Sequence, residues 1–316
     1  MAEAKALHSF FDKAQNILVL LHQSPDGDTI SSALALGTYL RRIGKKVDLA
    51  VNDGIPEVFE FLLSEEDIKK DFLLGDYDLI IAVDCGDALR TGFPARLEQI
   101  SKTKPLINID HHFRNNLHKI AAFNLVDPEA AATSQIIYEL LKEFGAKIDS
   151  KLATYVLAGI YYDTGGFHHS NVTKRTLEVV SDCVRLGGRM SQIVKNISAN
   201  KKTSSLKLWG IALKKMKVKS NGVVYAVLKN KDLVEAGAHT DEASGLVNLI
   251  NSVSESKLAL LLIETPDGKI KASLRTENDN VDVSAFARLF GGGGHRKAAG
   301  FTIEEDILPV SFRTPA

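Results

Sequence analysis

The sequence predicts an α/β fold, a largely parallel sheet flanked by helices and followed by a smaller α/β unit. Three observations lead there. Apolar runs of strand length recur through the first half, each followed by a polar loop. After the first of these the spacing changes to Ile30, Ala33, Leu34, Gly37 and Leu40, a helical period that stops near Gly44. The 316-residue length exceeds one typical core, and the 45% hydrophobic content is ordinary for a folded chain.

Taken in order, NILVLLH from Asn16 reads as a buried strand, and its loop carries His22, Asp26 and Asp28. YDLIIAVD brings Asp84 to the end of a second strand, and PLINIDHH brings Asp110, His111 and His112 to the end of a third. DTGGF places Asp163 at a further element end. Ligands of open α/β sheets gather beyond the carboxyl ends of the strands, so these loops should converge on one crevice. The polar stretch ISANKKTSS from Ile197 marks a boundary, which gives domains over 1–187 and 206–316 joined by a linker over 188–205. Beyond it LKLWGIALKKM reads as helical and GVVYAVL as a strand. ASGLVNLINSV, KLALLLIE, KIKASLRT, SAFARLFGGGGHRKAAG and FTIEE continue a mixed succession.

Each acidic motif has an ordinary explanation. Asp26-Gly27 fits a turn, Asp28 a helix N-cap, and Asp163-Thr164-Gly165 a helix C-terminal turn. Four of them at element ends point instead to a site. So many carboxylates would repel one another without cations, and carboxylate and imidazole donors without a thiolate pair suit Mn²⁺, with Mg²⁺, Co²⁺ or Zn²⁺ as alternatives. Two such ions about 3.5–4 Å apart can share a carboxylate and prepare a hydroxide for attack on phosphorus.

Charge narrows the partners. With 39 basic and 39 acidic residues the chain is neutral, which favours short substrates over long duplex nucleic acid. The stretch from Gly188 to Ser220 has no acidic residue and reads first as a solvated face. No apolar run approaches the ~18 residues of a membrane span, no signal-peptide pattern opens the chain, and Cys85 and Cys183 are too few for a disulfide framework; the expected location is the cytoplasm. Gly291, Gly292, Gly293 and Gly294 would let backbone N–H groups approach a ligand, with a helix expected to start at His295. This is not a Walker A loop, because no GK[ST] follows a strand.

The order HQSPDGD, VDCGD, DHH, DTGGF and GGGGHRKAAGF resembles the DHH–DHHA1 phosphoesterase family, over nearly the whole chain and nearest to its nanoRNase and pAp phosphatase group. The resemblance implies an N-terminal DHH domain and a C-terminal DHHA1 domain. It implies two metal ions, one held by His22, Asp26 and Asp84 and the other by Asp28, Asp84, His111 and Asp163. Asp110 would then support the ligands, His112 would face the scissile phosphate, and Arg275, His295 and the glycine run would bind substrate held between the domains. The implied reaction is hydrolysis of short RNA, including linear pApA and pGpG, to 5′-mononucleotides, with removal of the 3′-phosphate of 3′-phosphoadenosine 5′-phosphate (pAp). A cyclic-dinucleotide phosphodiesterase, a RecJ-like exonuclease, a pyrophosphatase and an idle nucleotide sensor are the alternatives. A homodimer is left open.

Overall fold

A computed structural model describes residues 2–63, 68–112 and 116–304. In chain order the first part comprises α1 (Ala2–Lys13), β1 (Asn16–Leu20), α2 (Gly27–Arg42), β2 (Lys46–Ala50), α3 (Glu60–Leu63), β3 (Ile68–Lys69), β4 (Leu79–Val83), α4 (Pro94–Ile100), β5 (Leu106–Asp110), β6 (Phe123–Val126), α5 (Thr133–Glu143), α6 (Ser150–Asp163), α7 (Lys174–Arg185) and α8 (Met190–Val194). The second part comprises α9 (Thr203–Lys215), β7 (Lys217–Val218), β8 (Val223–Leu228), α10 (Asn230–Ala236), α11 (Leu246–Asn251), β9 (Leu258–Glu264), β10 (Lys269–Arg275), α12 (Val283–Arg288), β11 (Gly293–His295) and β12 (Ala298–Glu304). The chain divides into two compact units, 1–200 and 201–316, so the division falls inside ISANKKTSS. Part of the 188–205 stretch is helical, since it contains α8.

The first unit is a six-stranded parallel sheet in the order β3-β2-β1-β4-β5-β6. Both faces are covered, which is why β4 and β5 are continuously apolar or buried rather than alternating. Ile17 and Val19 of β1 pack into the core shared with α2, α5 and α6. Leu18 and Leu20 point the other way, with Ile80, Ala82, Leu97 and Leu106. The strand order reverses direction at β1, whose neighbours are β2 and β4, and such switch points open a crevice at the carboxyl ends. His22 follows β1 and Asp84 follows β4, one on each side of that crevice.

The second unit is a mixed six-stranded sheet in the order β11-β12-β10-β9-β8-β7, with β8 and β9 parallel and the other pairs antiparallel. The helix expected to start at His295 is instead a hairpin. Gly293, Gly294 and His295 pair with Gly300, Ala299 and Ala298, leaving Arg296 and Lys297 as its turn. The chain has just left α12, and the glycines stop that helix rather than begin another. Gly291 adopts φ 73°, and its N–H donates to Arg288 O at 3.1 Å while Gly292 N–H donates to Ala287 O at 3.0 Å, the pattern of a Schellman C-cap. No helix among the described residues is long and apolar enough to cross a membrane.

Candidate metal centre

His22 leaves the end of β1 almost fully buried, 2% exposed. Its Nδ1 lies 2.7 Å from Gln23 O, and a carbonyl only accepts, so Nδ1 carries the proton of the neutral ring. Nε2 then presents a lone pair to Asp26 Oδ2 at 3.6 Å and Asp84 Oδ2 at 3.8 Å. It is buried and has no hydrogen-bond partner among the described residues. Three acceptors facing one another require a cation or a proton. This arrangement fits a divalent ion held by His22, Asp26 and Asp84, whose donor atoms fall within 4.8 Å of one another.

Asp26 has a second task. Its Oδ1 accepts from Asp28 N at 3.0 Å and Thr29 N at 3.2 Å, so Asp26 rather than Asp28 is the N-cap of α2. Burial works to raise its carboxyl, yet the His22 imidazole and the Thr29 N–H outweigh that and hold it well below the usual carboxylate range. Asp28 is fully buried and caps a different helix. Its Oδ2 accepts from Thr133 N at 2.6 Å and its Oδ1 from Ser134 N at 3.0 Å, at the start of α5, where Ala132 offers no side-chain cap. Burial, with Asp84 and Asp163 close by, pushes the Asp28 carboxyl well up.

Asp84 stands between the two halves of the cluster. Its backbone is left-handed, φ 57°, an uncommon conformation outside glycine and one that concentrates at functional sites. Oδ2 faces His22, while Oδ1 accepts from Thr133 Oγ1 at 3.0 Å and lies 3.4 Å from His111 Nε2. His111 repeats the geometry of His22: Nδ1 lies 3.3 Å from Ala130 O, and Nε2 faces Asp163 Oδ2 at 3.1 Å. Asp28, His111 and Asp163 form a second set of donors within 4.8 Å, and Asp84, His111 and His112 a third. Asp163, the last residue of α6, has its carboxyl raised by burial to about 6 although His111 opposes the shift.

Asp110 holds His112 by hydrogen bonds and also feels the charge of His111. Its Oδ1 lies 2.6 Å from His112 Nδ1 and accepts from His112 N at 3.0 Å, while Oδ2 accepts from Gly86 N at 2.6 Å. His112 Nδ1 also comes within 3.5 Å of Asp84 Oδ1, but its commitment to Asp110 leaves it a poor ligand there. Three neighbours escaped the sequence reading. Thr133 and Ser134 fasten Asp84 and Asp28, and the signal was AATS directly ahead of the amphipathic period of α5. Arg90, six residues after Asp84, places Nη1 3.2 Å from His112 Nε2. Cys85 is buried with its thiol pushed well up by burial and by Asp110 and Asp84, as suits packing.

In the second unit Arg275 closes β10. Its Nε donates to Asn248 Oδ1 at 2.9 Å and its Nη1 to Leu274 O at 2.8 Å, so α11 helps hold the guanidinium. Arg275 and His295 occupy the same register row, both opposite Ala298, and the side chain of His295 lies outside the described set. Gly291 and Gly292 spend their N–H groups on α12, as described above. Within the basic stretch Lys215 bonds both Asp232 oxygens, at 2.6 and 2.5 Å, and Trp209 donates to Glu242 O at 3.3 Å.

Residues 16–160 match the model of the DHH family, N-terminal domain, and residues 220–310 that of the DHHA1 domain. Fold and site together define a two-domain phosphoesterase, a hydrolase of a metal-dependent class. More particularly, the chain belongs to the DHH–DHHA1 phosphoesterase family. It is similar to the bifunctional oligoribonuclease and PAP phosphatase NrnA of Thermus thermophilus, 29% identical over 289 residues, covering 91% of this chain and 84% of that one. The protein of the same description from Bacillus subtilis is 28% identical over 291 residues, covering 91% and 89%. Among solved structures, an exopolyphosphatase-related protein from Bacteroides fragilis superposes with a TM-score of 0.86 at 25% identity, covering 95% of this chain and 90% of that one. A putative family II inorganic pyrophosphatase from Methanococcus jannaschii, with a TM-score of 0.52 and 18% identity over 94% and 96%, shares the fold alone.

Proposed function

We propose that this protein hydrolyses phosphodiester bonds of very short RNA, including pApA and pGpG, to 5′-mononucleotides and removes the 3′-phosphate of pAp. The observation that carries the reading is Asp84, whose two oxygens face different histidines, His22 and His111, each with its other nitrogen committed to a carbonyl. A shared carboxylate between two donor sets is what a pair of divalent ions requires. His22, Asp26 and Asp84 would hold one ion, and Asp28, Asp84, His111 and Asp163 the other, with Mn²⁺ the best match to these donors. When bound, such ions supply a water of lowered pKa and charge compensation at the phosphoryl oxygens.

The remaining tasks belong to the chain. Hydrolysis forms a bond from water oxygen to phosphorus and breaks the P–O3′ bond, leaving a 5′-phosphate on one product and a 3′-hydroxyl on the other. His112, oriented by Asp110, stands beside the phosphate. The start of α5 keeps Asp28 and Asp84 in place through Thr133 and Ser134. Arg275 and His295, with the glycine run Gly291 to Gly294, are assigned to the nucleotide, the only large groups a short substrate offers besides its phosphates. Similarity to proteins described as oligoribonuclease and PAP phosphatase supports this choice of substrates.

The test is turnover in Mn²⁺ of pAp, pApA, RNA of two to twenty nucleotides, cyclic di-AMP and pyrophosphate. Efficiency should peak on RNA of about two to five nucleotides with a shallow salt dependence, because few phosphates are contacted. Preference for cyclic di-AMP, for pyrophosphate, or for long RNA with steep salt dependence would each replace the reading with the corresponding alternative.

A further inference from the structure

Arg90 lies in the short 3-10 turn Leu89–Thr91 after β4, and its carbonyl accepts from Gln23 N at 2.6 Å, which ties it to the loop bearing His22. A guanidinium has donors and no acceptor, so the 3.2 Å contact to His112 Nε2 runs from Arg90 to the histidine. The other ring nitrogen agrees: Nδ1, 2.6 Å from Asp110 Oδ1, is the protonated one. Arg90, His112 and Asp110 thus form one donor chain ending on a carboxylate that also accepts from Gly86 N and His112 N. In that chain His112 Nε2 faces the Arg90 guanidinium. Among the described residues, the positive charge at this edge of the centre is Arg90.

Gly86 makes room for the pair. It has φ 66°, and a Cβ there would lie 3.1 Å from Arg90 Nη1 and 3.3 Å from His112 Cγ. Among the described residues no carboxylate forms an ion pair with the Arg90 guanidinium, although Asp26, Asp28, Asp84 and Asp163 lie in the same centre. A partly buried fork of N–H donors with no carboxylate ion pair among the described residues, held beside the His112 imidazole, matches the oxygens of a phosphoryl group. We infer that Arg90 binds the non-bridging oxygens of the scissile phosphate, and that His112 is its positioning residue rather than the phosphate donor. This rests on the phosphoesterase reading above and names the cation that reading left open.

The experiment compares wild type, Arg90→Ala, Arg90→Lys, His112→Ala and the double variant Arg90→Ala/His112→Ala on pApA in Mn²⁺. Loss of a donor to developing charge should lower kcat/KM for Arg90→Ala by about a hundredfold or more, with Arg90→Lys recovering part of it. The double variant should fall within about threefold of Arg90→Ala, because a positioning residue has nothing left to aim. Melting temperature and bound manganese should match wild type in Arg90→Ala. In ¹⁵N spectra of the histidines, the His112 Nε2 signal should move in the same variant. Activity of Arg90→Ala within threefold of wild type, or multiplicative losses in the double variant, overturns the inference. A wild-type protein inert on the whole substrate panel overturns the phosphoesterase reading itself, whatever Arg90 does.

Discussion

Asp84 is the residue on which the centre turns, because one carboxylate serves two histidines from a strained backbone. Replacing it with Asn keeps the shape and removes the charge that the two proposed metal sites would share. Asp84→Asn should therefore lose activity by about a hundredfold or more and bind less manganese, measured by turnover and metal analysis, while circular dichroism stays native. Near wild-type turnover would contradict two shared sites. Arg275 belongs to a different task. Arg275→Ala should raise KM for pApA about tenfold or more with manganese content unchanged, and Asn248→Ala should do the same to a smaller degree, since Asn248 only steadies the guanidinium through Nε. Metal loss in either variant would refute that separation.

Among elements, α2, α5 and α6 meet so closely that Gly159 of α6 has no room for a side chain: its Cβ would lie 2.5 Å from Asp28 Oδ1 and nearer still to Ser134 Oγ. Gly159→Ala should cost about 1–3 kcal/mol of stability by overpacking, and should also weaken manganese binding, because the atoms displaced belong to Asp28 and its anchor. A denaturant midpoint unchanged from wild type would show that the helices yield freely. The strands ending in His22, Asp84 and His111 were legible because each apolar run stops where its polar ligand-like residues begin. What lay between them was less so. β2, KVDLA, is exposed at Lys46 and half-buried at Asp48, and β6 is half-buried throughout, so neither carries the continuous apolar signature of a central strand. The hairpin after the glycines was missed because a Schellman cap and a helix start both call for glycine, and only the hydrogen bonds to Ala287 and Arg288 tell them apart. Arg90 and Thr133 had no periodic signal, since their partners are distant in sequence.

For the molecule as a whole, the clustering of buried acids and imidazoles sets a pH response. In metal-free protein Asp163 titrates at about 6 because of burial, above its unfolded value, so the folded state binds the extra proton between those values and stability falls as pH rises through that window. His22 is shifted upward although burial opposes it, by Asp26 and then Asp84, and His111 is shifted well upward against burial by Asp163 and Asp84. Their stabilisation is complete below an unfolded histidine value of about 6.5 and is lost as pH climbs through the folded values. The contributions share one sign. Melting temperature of the metal-free protein should decline from pH 5 to pH 8, and Mn²⁺ should flatten the decline by taking the place of the protons. A melting temperature that rises over this range without metal would mean that the acids do not face one another as described.

The end of α12 has a consequence for binding as well as for folding. Four successive glycines would be among the most mobile segments of an unfolded chain, and ordering them on contact with a ligand would cost several residues' worth of backbone entropy. Here Gly291 and Gly292 are already tethered by their amides and Gly293 and Gly294 are already paired with β12. Their amide protons should exchange slowly with solvent before any nucleotide arrives. A ligand that docks on this hairpin meets a surface whose disorder was removed during folding, so its affinity reflects the contacts it makes and not the tightening of a loop.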